Sequence, residues 1–288
     1  MIDGKTFAII GGDSRQVAMA ESILSDGNKV YAVGFENIEL KKDIPLANLD
    51  DAVKNSQYII LPVPAVRESD CLNAPCSKEK IKIDDSFVQK MYEKKVFCGL
   101  SNKLIATSEL WKNVNLYDYS EREEFAVNNA VPTAEGAIEL AMREYAGTIN
   151  GSKCLIAGFG RIGKVLSKML AGLGAKVTIS ARKPEDFAWV KASGYDGIST
   201  SNLSATERNF DIIFNTIPCL IFDKKTLKKT AQNAIIIDLA SMPGGVDFDA
   251  AKELKIKTIH ALALPGKVAP KTAGEIIKNT IYNIIKEE

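Results

Sequence analysis

The chain has 288 residues, which at about 150 residues per domain predicts two domains, each able to bury its own core. Its composition, 46% apolar and 25% charged, excludes a low-complexity, collagenous or disulfide-dense protein. Because 37 basic residues are balanced by 36 acidic ones, no net field attracts nucleic acid or a membrane surface, and we expect neither as a partner. The sequence shows no signal peptide and no apolar window of about 18 residues, so we expect a cytoplasmic protein.

In the first half of the chain, short apolar runs alternate with amphipathic stretches, a pattern typical of parallel strands joined by crossover helices. The predicted strands span residues 7–10, 30–33, 58–61 and 96–98, and the predicted helices residues 16–25 and 87–93. We expect these elements to form a flavodoxin-like N-terminal domain, residues 1–128, that holds the substrate and catalytic groups.

The middle of the chain predicts a connector, and the second half predicts another wound sheet. Residues 124–146 are rich in alanine and predict one long helix that begins near Pro132 or slightly earlier. Strands follow at 153–157, 176–180, 212–215, 235–238 and 258–260, so we expect a Rossmann domain over residues 129–267.

After Pro270, isoleucines at helical spacing predict a final helix, residues 268–288, that packs on the first domain. The fold class is therefore α/β, with two doubly wound parallel-sheet domains joined by long helices. The alanine- and isoleucine-rich surfaces of these helices leave room for a homo-oligomer.

The strongest motif is a G-x-G-x-x-G run between a predicted strand and a predicted helix. Gly158 permits the tight turn, Gly160 lets the backbone approach a pyrophosphate, and Gly163 lets the helix pack closely on the strand. We expect Arg161 and Ile162, which lie inside the run, to belong to the same dinucleotide site at the helix N-terminus. The alternative is a glycine turn that serves packing alone.

The end of the next predicted strand distinguishes NAD from NADP. The carboxylate that usually binds the ribose 2′-hydroxyl of NAD is missing there, and Ser180, Ala181, Arg182 and Lys183 follow one another instead. A hydroxyl and two cations suit a 2′-phosphate, so the sequence predicts NADP rather than NAD. A merely solvated turn at Arg182 and Lys183 is the alternative.

Two further strand ends are expected to border the nicotinamide and its ribose, because ligands of open α/β sheets bind beyond the carboxyl ends of the strands. We expect backbone groups, more than side chains, to make these contacts, although Pro218 could be only a turn residue. The residues concerned are Thr216, Ile217, Pro218, Leu239, Ala240 and Ser241.

The first domain has a second glycine turn, at Gly11 and Gly12, without the dinucleotide spacing. Backbone amides at the start of the following helix, together with the Arg15 guanidinium, could hold a carboxylate. Polar strand ends elsewhere in the domain add candidates, as does the connector. The predicted substrate-binding residues are Gly12, Arg15, Gln16, Pro62, Val63, Ser101, Asn102, Lys103 and Thr133.

The five cysteines and the single histidine do not form a metal-binding pattern, so we expect no metal. Cys98, Cys154 and Cys219 lie in or beside apolar runs, where we expect them to be small buried side chains. All five cysteines suit a reducing compartment.

Motifs along the whole chain resemble those of the dipicolinate synthase A-subunit family of spore-forming bacteria. They are IIGGDSRQ (9–16), ILPVPA (60–65), GLSN (99–102), N-x-x-P-T-x-E-G (129–136), GFGRIG (158–163), NTIP (215–218), DLASMPGGVDF (238–248) and LPGKVAPKTAG (264–274). The resemblance implies NADP-dependent oxidation of a hydroxylated tetrahydrodipicolinate to pyridine-2,6-dicarboxylate, dipicolinic acid. It also implies a partner, the flavoprotein-like B subunit, and a location in the cytoplasm of the sporulating mother cell.

A substrate with two carboxylates needs cations, for which we expect Arg15, Lys103 and Lys271. If the reaction needs a protonatable group, the candidates are Asp13, Glu135 and Lys271; otherwise water is lost without help from the enzyme.

Two other functions stay open. A D-2-hydroxyacid-dehydrogenase-like oxidoreductase would need a His paired with a carboxylate, and an Arg in the turn after the predicted strand 235–238. That turn has no Arg, and His260 lies in or beside an apolar strand, where we expect a structural role. The remaining alternative is a non-catalytic NADP-binding partner subunit.

Overall fold

A computed structural model describes residues 2–68, 70–205 and 209–287. The chain divides into two compact units, Met1–Asn129 with Ala269–Glu288, and Ala130–Val268. Each boundary lies one residue later in the chain than the division expected from sequence.

The first unit contains a five-stranded parallel sheet with the strand order β2-β1-β3-β4-β5. This order is that of the flavodoxin-like fold, so the predicted class of this unit is confirmed. Its elements are β1 (Thr6–Ile10), α1 (Ser14–Ser25), β2 (Lys29–Val33), α2 (Leu49–Asn55), β3 (Tyr58–Ile60), α3 (Asp85–Lys90), β4 (Lys95–Cys98), α4 (Asn102–Ile105) and β5 (Asn115–Asp118).

The helix α5 (Glu123–Glu144) crosses the boundary between the units with Pro132 inside it. The sequence prediction placed its start near this proline, because prolines are common in the first turn of helices, and the helix in fact starts nine residues earlier. A proline leaves the carbonyl four residues earlier without a helical partner. That residue, Asn128, is exposed, so water can satisfy the carbonyl and the helix continues.

The second unit has a six-stranded parallel sheet in the order β11-β10-β9-β6-β7-β8, the dinucleotide-binding order of a Rossmann fold. The predicted Rossmann class is confirmed. Its elements are β6 (Lys153–Ala157), α6 (Arg161–Gly172), β7 (Lys176–Ala181), α7 (Pro184–Ala192), β8 (Asp196–Ser199), β9 (Ile212–Asn215), α8 (Lys224–Leu227), β10 (Ile235–Asp238), α9 (Phe248–Glu253), β11 (Lys257–His260) and α10 (Leu264–Val268).

The final helix, α11 (Pro270–Glu287), packs along α1 in the first unit. A Cβ added at Gly274 would lie 2.5 Å from the Arg15 carbonyl oxygen, so the absent side chain lets the two backbones approach closely. Further along, Lys278 donates to the Ser22 hydroxyl at 2.6 Å and to Asp26 at 2.9 Å. These contacts advance along α1 and α11 in the same direction, so the two helices run parallel.

Lys278 is a buried cation, only 7% exposed, and it also pairs with Glu275 at 3.1 Å. Burial alone would lower the pKa of Lys278, but hydrogen bonds to Asp26 and Glu275 outweigh it and raise that pKa above its ordinary value. A raised lysine pKa stabilises the fold at neutral pH, and the stabilisation disappears as the pH rises through the folded-state pKa.

Replacing Lys278 with alanine is expected to lower the free energy of unfolding by about 2–4 kcal/mol, because Asp26 would stay buried without its cation. Urea unfolding at pH 7 measures this, and the deficit should shrink in alkaline buffer. The matched control is Lys286→Ala on the exposed side of α11, for which we expect a change within about 0.5 kcal/mol. Equal losses for both variants would show that the buried pair adds nothing.

The cysteines are partly as predicted. Cys98 and Cys154 are fully buried, and burial raises the pKa of the Cys154 thiol to about 11. The prediction for Cys219 was wrong: its side chain is exposed, because it lies in the loop after β9, where the chain has left the sheet. Among the residues described, no helix combines the length and apolarity that crossing a bilayer requires.

Candidate functional site

The loop between β6 and α6 has the backbone shape of a dinucleotide-binding turn. Gly158 adopts φ +99°, a left-handed conformation that side chains disfavour, and a Cβ there would collide with the Thr216 hydroxyl. A Cβ at Gly163 would collide with the Gly158 carbonyl oxygen, so this glycine is needed for close packing of helix and strand. Both positions therefore behave as the motif predicts.

Gly160 differs from the other two glycines of the motif. A Cβ added there meets no atom within 4 Å, so open space lies beside this backbone. Gly160 is also the N-cap of α6, and no side chain caps the helix there. Open space at an uncapped helix N-terminus suits an anionic pyrophosphate, so the loop fits a bound dinucleotide.

The end of β7 presents two exposed cations, one of which lies beside a carboxylate. Ser180 is fully buried and its hydroxyl lies 3.1 Å from the Thr200 hydroxyl, while Ala181 is 3% exposed. Arg182 is exposed, and within the described part of the chain no carboxylate pairs with it. Lys183, also exposed, lies 3.6 Å from Glu185. Arg182 is thus the side chain at this strand end that is available to a ligand.

A buried hydrogen-bond network joins the ends of β9 and β10, and sequence reasoning missed it. Asp238 is fully buried, and its Oδ1 accepts hydrogen bonds from the Asn215 amide group at 2.8 Å and from the Ala240 N–H at 3.1 Å. Its Oδ2 accepts from the Gly245 N–H at 2.8 Å. The available signal was a polar residue ending each of two apolar strands, IIFN and IIID.

The turns held by this network are those predicted to border the nicotinamide. Thr216 donates to the Ala157 carbonyl at 2.9 Å, and the Ile217 N–H donates to the Asn215 side chain at 3.1 Å. These turns and the glycine loop all follow strands of one parallel sheet, so they share its carboxyl edge. Of the residues predicted in these turns, Leu239 and Ala240 are buried, whereas Pro218 and Ser241 are exposed.

His260, the single histidine, has structural contacts. Its ring stacks on Phe248 with centroids 5.3 Å apart, and its Nε2 lies 3.2 Å from the Ala240 carbonyl oxygen, to which it can donate. Its neighbours include no carboxylate oxygen at hydrogen-bonding distance among the described residues. This environment supports a structural role and lacks the acid–base pairing of a hydroxyacid dehydrogenase.

At the start of α1 in the first unit, Asp13 and Arg15 neutralise each other. The Arg15 guanidinium donates to both Asp13 oxygens at 2.9 Å and to the Val63 carbonyl at 2.6 Å. Burial raises the pKa of the Asp13 carboxyl, but the hydrogen bonds and charge of Arg15 outweigh this and keep it below its ordinary value. A carboxylate held ionised in this way is a poor proton donor at neutral pH.

Two other residues predicted at this turn already have protein partners. The Gly12 N–H donates to the Asn73 carbonyl at 2.9 Å, so it is not available to a substrate carboxylate. Gln16 is fully buried, and its Oε1 accepts from the Asp13 N–H at 3.0 Å as part of a capping box. The Gly12 N–H therefore holds the turn and does not form the expected cradle. Gln16 caps the helix through Oε1, while its Nε2 group is buried without a hydrogen-bond partner among the described residues and so keeps a donor for a ligand.

The other strand ends of this sheet differ in exposure. Pro62 and Val63 are buried, and Asn102 and Lys103 are exposed at the start of α4. The Ser101 N–H donates to Asp118 at 2.7 Å.

Ser101 and Asn102 line a cavity of about 490 Å³ together with Glu109, Asp118 and Glu121. Burial raises the pKa of Asp118, but donors from Ser120 and Ser101 outweigh this and lower it. The negative lining, offset by one lysine, Lys112, makes this cavity unsuited to a dianion.

The remaining candidates lie on the long helices. Thr133 is buried and Glu135 exposed on the part of α5 that belongs to the second unit. Lys271 is exposed in the first turn of α11 in the first unit, and the parallel packing of α11 on α1 places that turn near the start of α1. No group of three or more His, Cys, Asp or Glu residues suited to a metal ion occurs in the described ranges.

Two family models match the chain in succession. Residues 6–120 match the model for the N-terminal domain of the dipicolinate synthase A subunit. Residues 125–264 match that described as D-isomer specific 2-hydroxyacid dehydrogenase, NAD binding domain. The second match indicates a nicotinamide cofactor, in agreement with the glycine loop.

Relatives match over the full length. The dipicolinate synthase A subunit of Bacillus subtilis (strain 168) is 32% identical over 297 residues, covering 100% of this chain and 98% of the relative. The crystal structure of the Bacillus halodurans dipicolinate synthase A subunit has a TM-score of 0.91 at 32% identity, with 100% of both chains covered. The crystal structure of its Bacillus subtilis counterpart has a TM-score of 0.88 at 32% identity, covering 100% of this chain and 97% of that one. The chain therefore belongs to the dipicolinate synthase A-subunit family, and it is an NAD(P)-dependent oxidoreductase.

Proposed function

We propose that this protein oxidises a hydroxylated tetrahydrodipicolinate to pyridine-2,6-dicarboxylate. In this reaction the substrate loses one water to give a dihydropyridine, which then loses a hydride and a proton to become aromatic. The gain of aromaticity favours the second step. Bound NADP would supply the hydride acceptor. The observation that carries the proposal is the open, uncapped glycine loop at Gly160 in a chain that matches dipicolinate synthase A subunits from end to end.

The choice of NADP over NAD depends on the end of β7. A guanidinium can bind a phosphate through two parallel N–H groups, whereas the 2′-hydroxyl of NAD needs an acceptor. Arg182 is exposed and without a carboxylate partner among the described residues, and no Asp or Glu ends this strand. Ser180, by contrast, is buried with Thr200 and has a supporting position.

Replacing Arg182 with alanine is expected to raise the Kd for NADP by about 10- to 100-fold, the worth of one or two charge-assisted hydrogen bonds. The Kd for NAD should change less than about threefold, because NAD has no 2′-phosphate. Isothermal titration with both dinucleotides measures the two values. Lys191→Ala, which removes an exposed cation on α7, is the control. Parallel losses for NADP and NAD would contradict the assignment of Arg182 to the 2′-phosphate.

In the first unit we assign substrate binding to groups near the start of α1. The Asp13–Arg15 pair holds the Val63 carbonyl and so has a positioning role. Lys271 supplies a cation from α11, and Lys103 another from α4.

Any proton transfer during water loss needs a group that can change its protonation state. With Asp13 engaged by Arg15, Glu135 and Lys271 are the remaining candidates. Thr133 stays a candidate for a polar contact with the substrate, whereas Ser101 and Asn102 line the acidic cavity, which does not suit a dianion.

We also propose that a separate B subunit completes the active enzyme, by analogy with the naming of the relatives as A subunits. The test mixes the purified chain, NADP and freshly generated hydroxytetrahydrodipicolinate, with or without the B subunit. Absorbance of reduced nicotinamide follows the reaction.

Appearance of reduced cofactor and of pyridine-2,6-dicarboxylate supports the function. A signal that needs both chains assigns part of the site to the partner. Tight NADP binding without reduction under either condition would overturn the catalytic proposal.

A further inference from the structure

The expected cation at the start of α1 is already engaged. Arg15 is only 8% exposed, and its guanidinium binds Asp13 and the Val63 carbonyl. The pair carries no net charge, so it gives a dianionic substrate little attraction. If a dicarboxylate binds at this edge of the sheet, another cation must receive it.

Two arms of a hairpin, residues 65–68 and 70–73, are described at the same edge of the sheet. Val66 and Leu72 form an antiparallel bridge, and the Asn73 N–H donates to the Ala65 carbonyl at 2.9 Å. The base of the hairpin is fixed to the strand ends, because the Ala65 N–H donates to the Gly99 carbonyl at 2.9 Å.

The other arm of the hairpin is fixed just as firmly to the β1–α1 turn. The Asn73 carbonyl accepts from the Gly12 N–H, and a Cβ added at Gly11 would lie 2.8 Å from the Leu72 side chain. The hairpin therefore covers the turn that sequence alone offers as a substrate cradle. The described exposed residues of the hairpin therefore form the protein surface above this turn.

Arg67 is the first exposed residue after the Val66 bridge. Within the described part of the chain it forms no ion pair, even with the adjacent Glu68, while Asp70 on the same hairpin lies 3.8 Å from Lys82. Its charge reaches the α1 turn: after burial, which raises the pKa of Asp13, and Arg15, which lowers it, Arg67 lowers that pKa further. Arg67 directly follows Val66, and the two arms bond to Gly99 and Gly12, so the Arg67 backbone starts at the surface beside the neutralised Asp13–Arg15 pair.

We propose that Arg67 binds a carboxylate of the dicarboxylate substrate. This inference rests on the proposed function and names the residue that gives it substrate affinity. A planar guanidinium matches a carboxylate with two parallel N–H donors, and Arg67 directly follows the bridged residue Val66, which fixes where its backbone starts. Arg15 then orients the supporting turn, and Lys271 adds a second cation from α11.

The test is titration calorimetry of the full-length protein with pyridine-2,6-dicarboxylate in metal-free buffer. We expect Arg67→Ala to weaken binding about 10- to 100-fold and Arg67→Lys, which keeps a point charge, to weaken it less. NADP affinity should be unchanged in both variants. Arg143→Ala, which removes an exposed arginine at the end of α5, is the matched control and should bind like the wild type.

The outcomes separate the inference from the function on which it rests. Wild-type binding that is unaffected by Arg67→Ala would overturn the role of Arg67 and leave the proposed function standing. No binding by the wild type, with NADP binding intact, would overturn the dicarboxylate function and the role of Arg67 with it. Because Arg67 is exposed, thermal unfolding of Arg67→Ala should match the wild type, and a lowered midpoint together with lost NADP binding would contradict a local role.

Discussion

Replacing Gly160 with valine is expected to raise the Kd for NADP by at least about 100-fold while lowering the free energy of unfolding by less than about 1 kcal/mol. The substitution fills the open space beside the uncapped start of α6, where the pyrophosphate would approach. Loss of two charge-assisted hydrogen bonds accounts for a change of about 100-fold. The backbone at Gly160 is extended, with φ −79° and ψ −159°, and its negative φ does not require glycine, so the fold should persist.

Calorimetric titration with NADP and thermal unfolding measure the two effects. Gly172→Ala is the matched control, because its Cβ also meets open space but lies at the far end of α6. Gly163→Ala gives the opposite pattern: its Cβ would collide with the Gly158 carbonyl, so it should destabilise the second unit itself. Unchanged NADP affinity in Gly160→Val would mean that no phosphate occupies this space.

Replacing Asp238 with alanine is expected to lower the free energy of unfolding by about 3–5 kcal/mol. The change removes the acceptor of the Ala240 and Gly245 backbone N–H groups and one of the two acceptors of the Asn215 amide group, which still donates to the Ile217 carbonyl at 3.0 Å. Each buried donor left without an acceptor costs about 1–3 kcal/mol, partly relieved by relaxation. The turns after β9 and β10 lose the Asp238 hydrogen bonds that hold them together. NADP affinity should therefore fall at least about tenfold.

Urea unfolding followed by circular dichroism measures the stability, and titration measures the affinity. Asp238→Asn keeps one acceptor oxygen and should fall between alanine and the wild type. The control is Asp196→Ala, which removes an exposed carboxylate at the start of β8, and for it we expect a change within about 0.5 kcal/mol. If Asp238→Ala unfolds like this control, the network has no anchoring role.

The interior strands were predictable from sequence alone. The predicted ranges 212–215 and 235–238 coincide with β9 and β10, and every residue of both strands is buried. A strand covered on both faces must be an almost continuous apolar run, so its sequence is easily recognised. The strand, glycine turn and helix of the dinucleotide loop were predictable for the same reason, because their signals are local.

Two of the four edge strands, β5 and β8, were missed, whereas the edge strands β2 and β11 were predicted. Both missed strands are four residues long with no buried residue, and β8 begins with the exposed pair Asp196 and Gly197. An edge strand pairs on one side only and can have few apolar residues, so composition does not always mark it. Only the neighbouring strand in the sheet decides that such a segment becomes a strand.

For the candidate substrate-binding residues, too, sequence predicts the position in the fold, while tertiary contacts decide the role. Arg15, Gly12 and Gln16 lie after a strand end as predicted, but contacts with Val63 and Asn73 decide that Arg15 and Gly12 support the turn, whereas Gln16 keeps a buried Nε2 without a partner among the described residues. By itself the sequence determined the two wound sheets, the glycine loop and the missing carboxylate after β7, because each follows from residues adjacent in the chain. Tertiary structure alone decided which polar groups hold the strand ends together, since Arg15 reaches the Val63 carbonyl and Asn215 reaches Asp238 between segments that are distant in sequence.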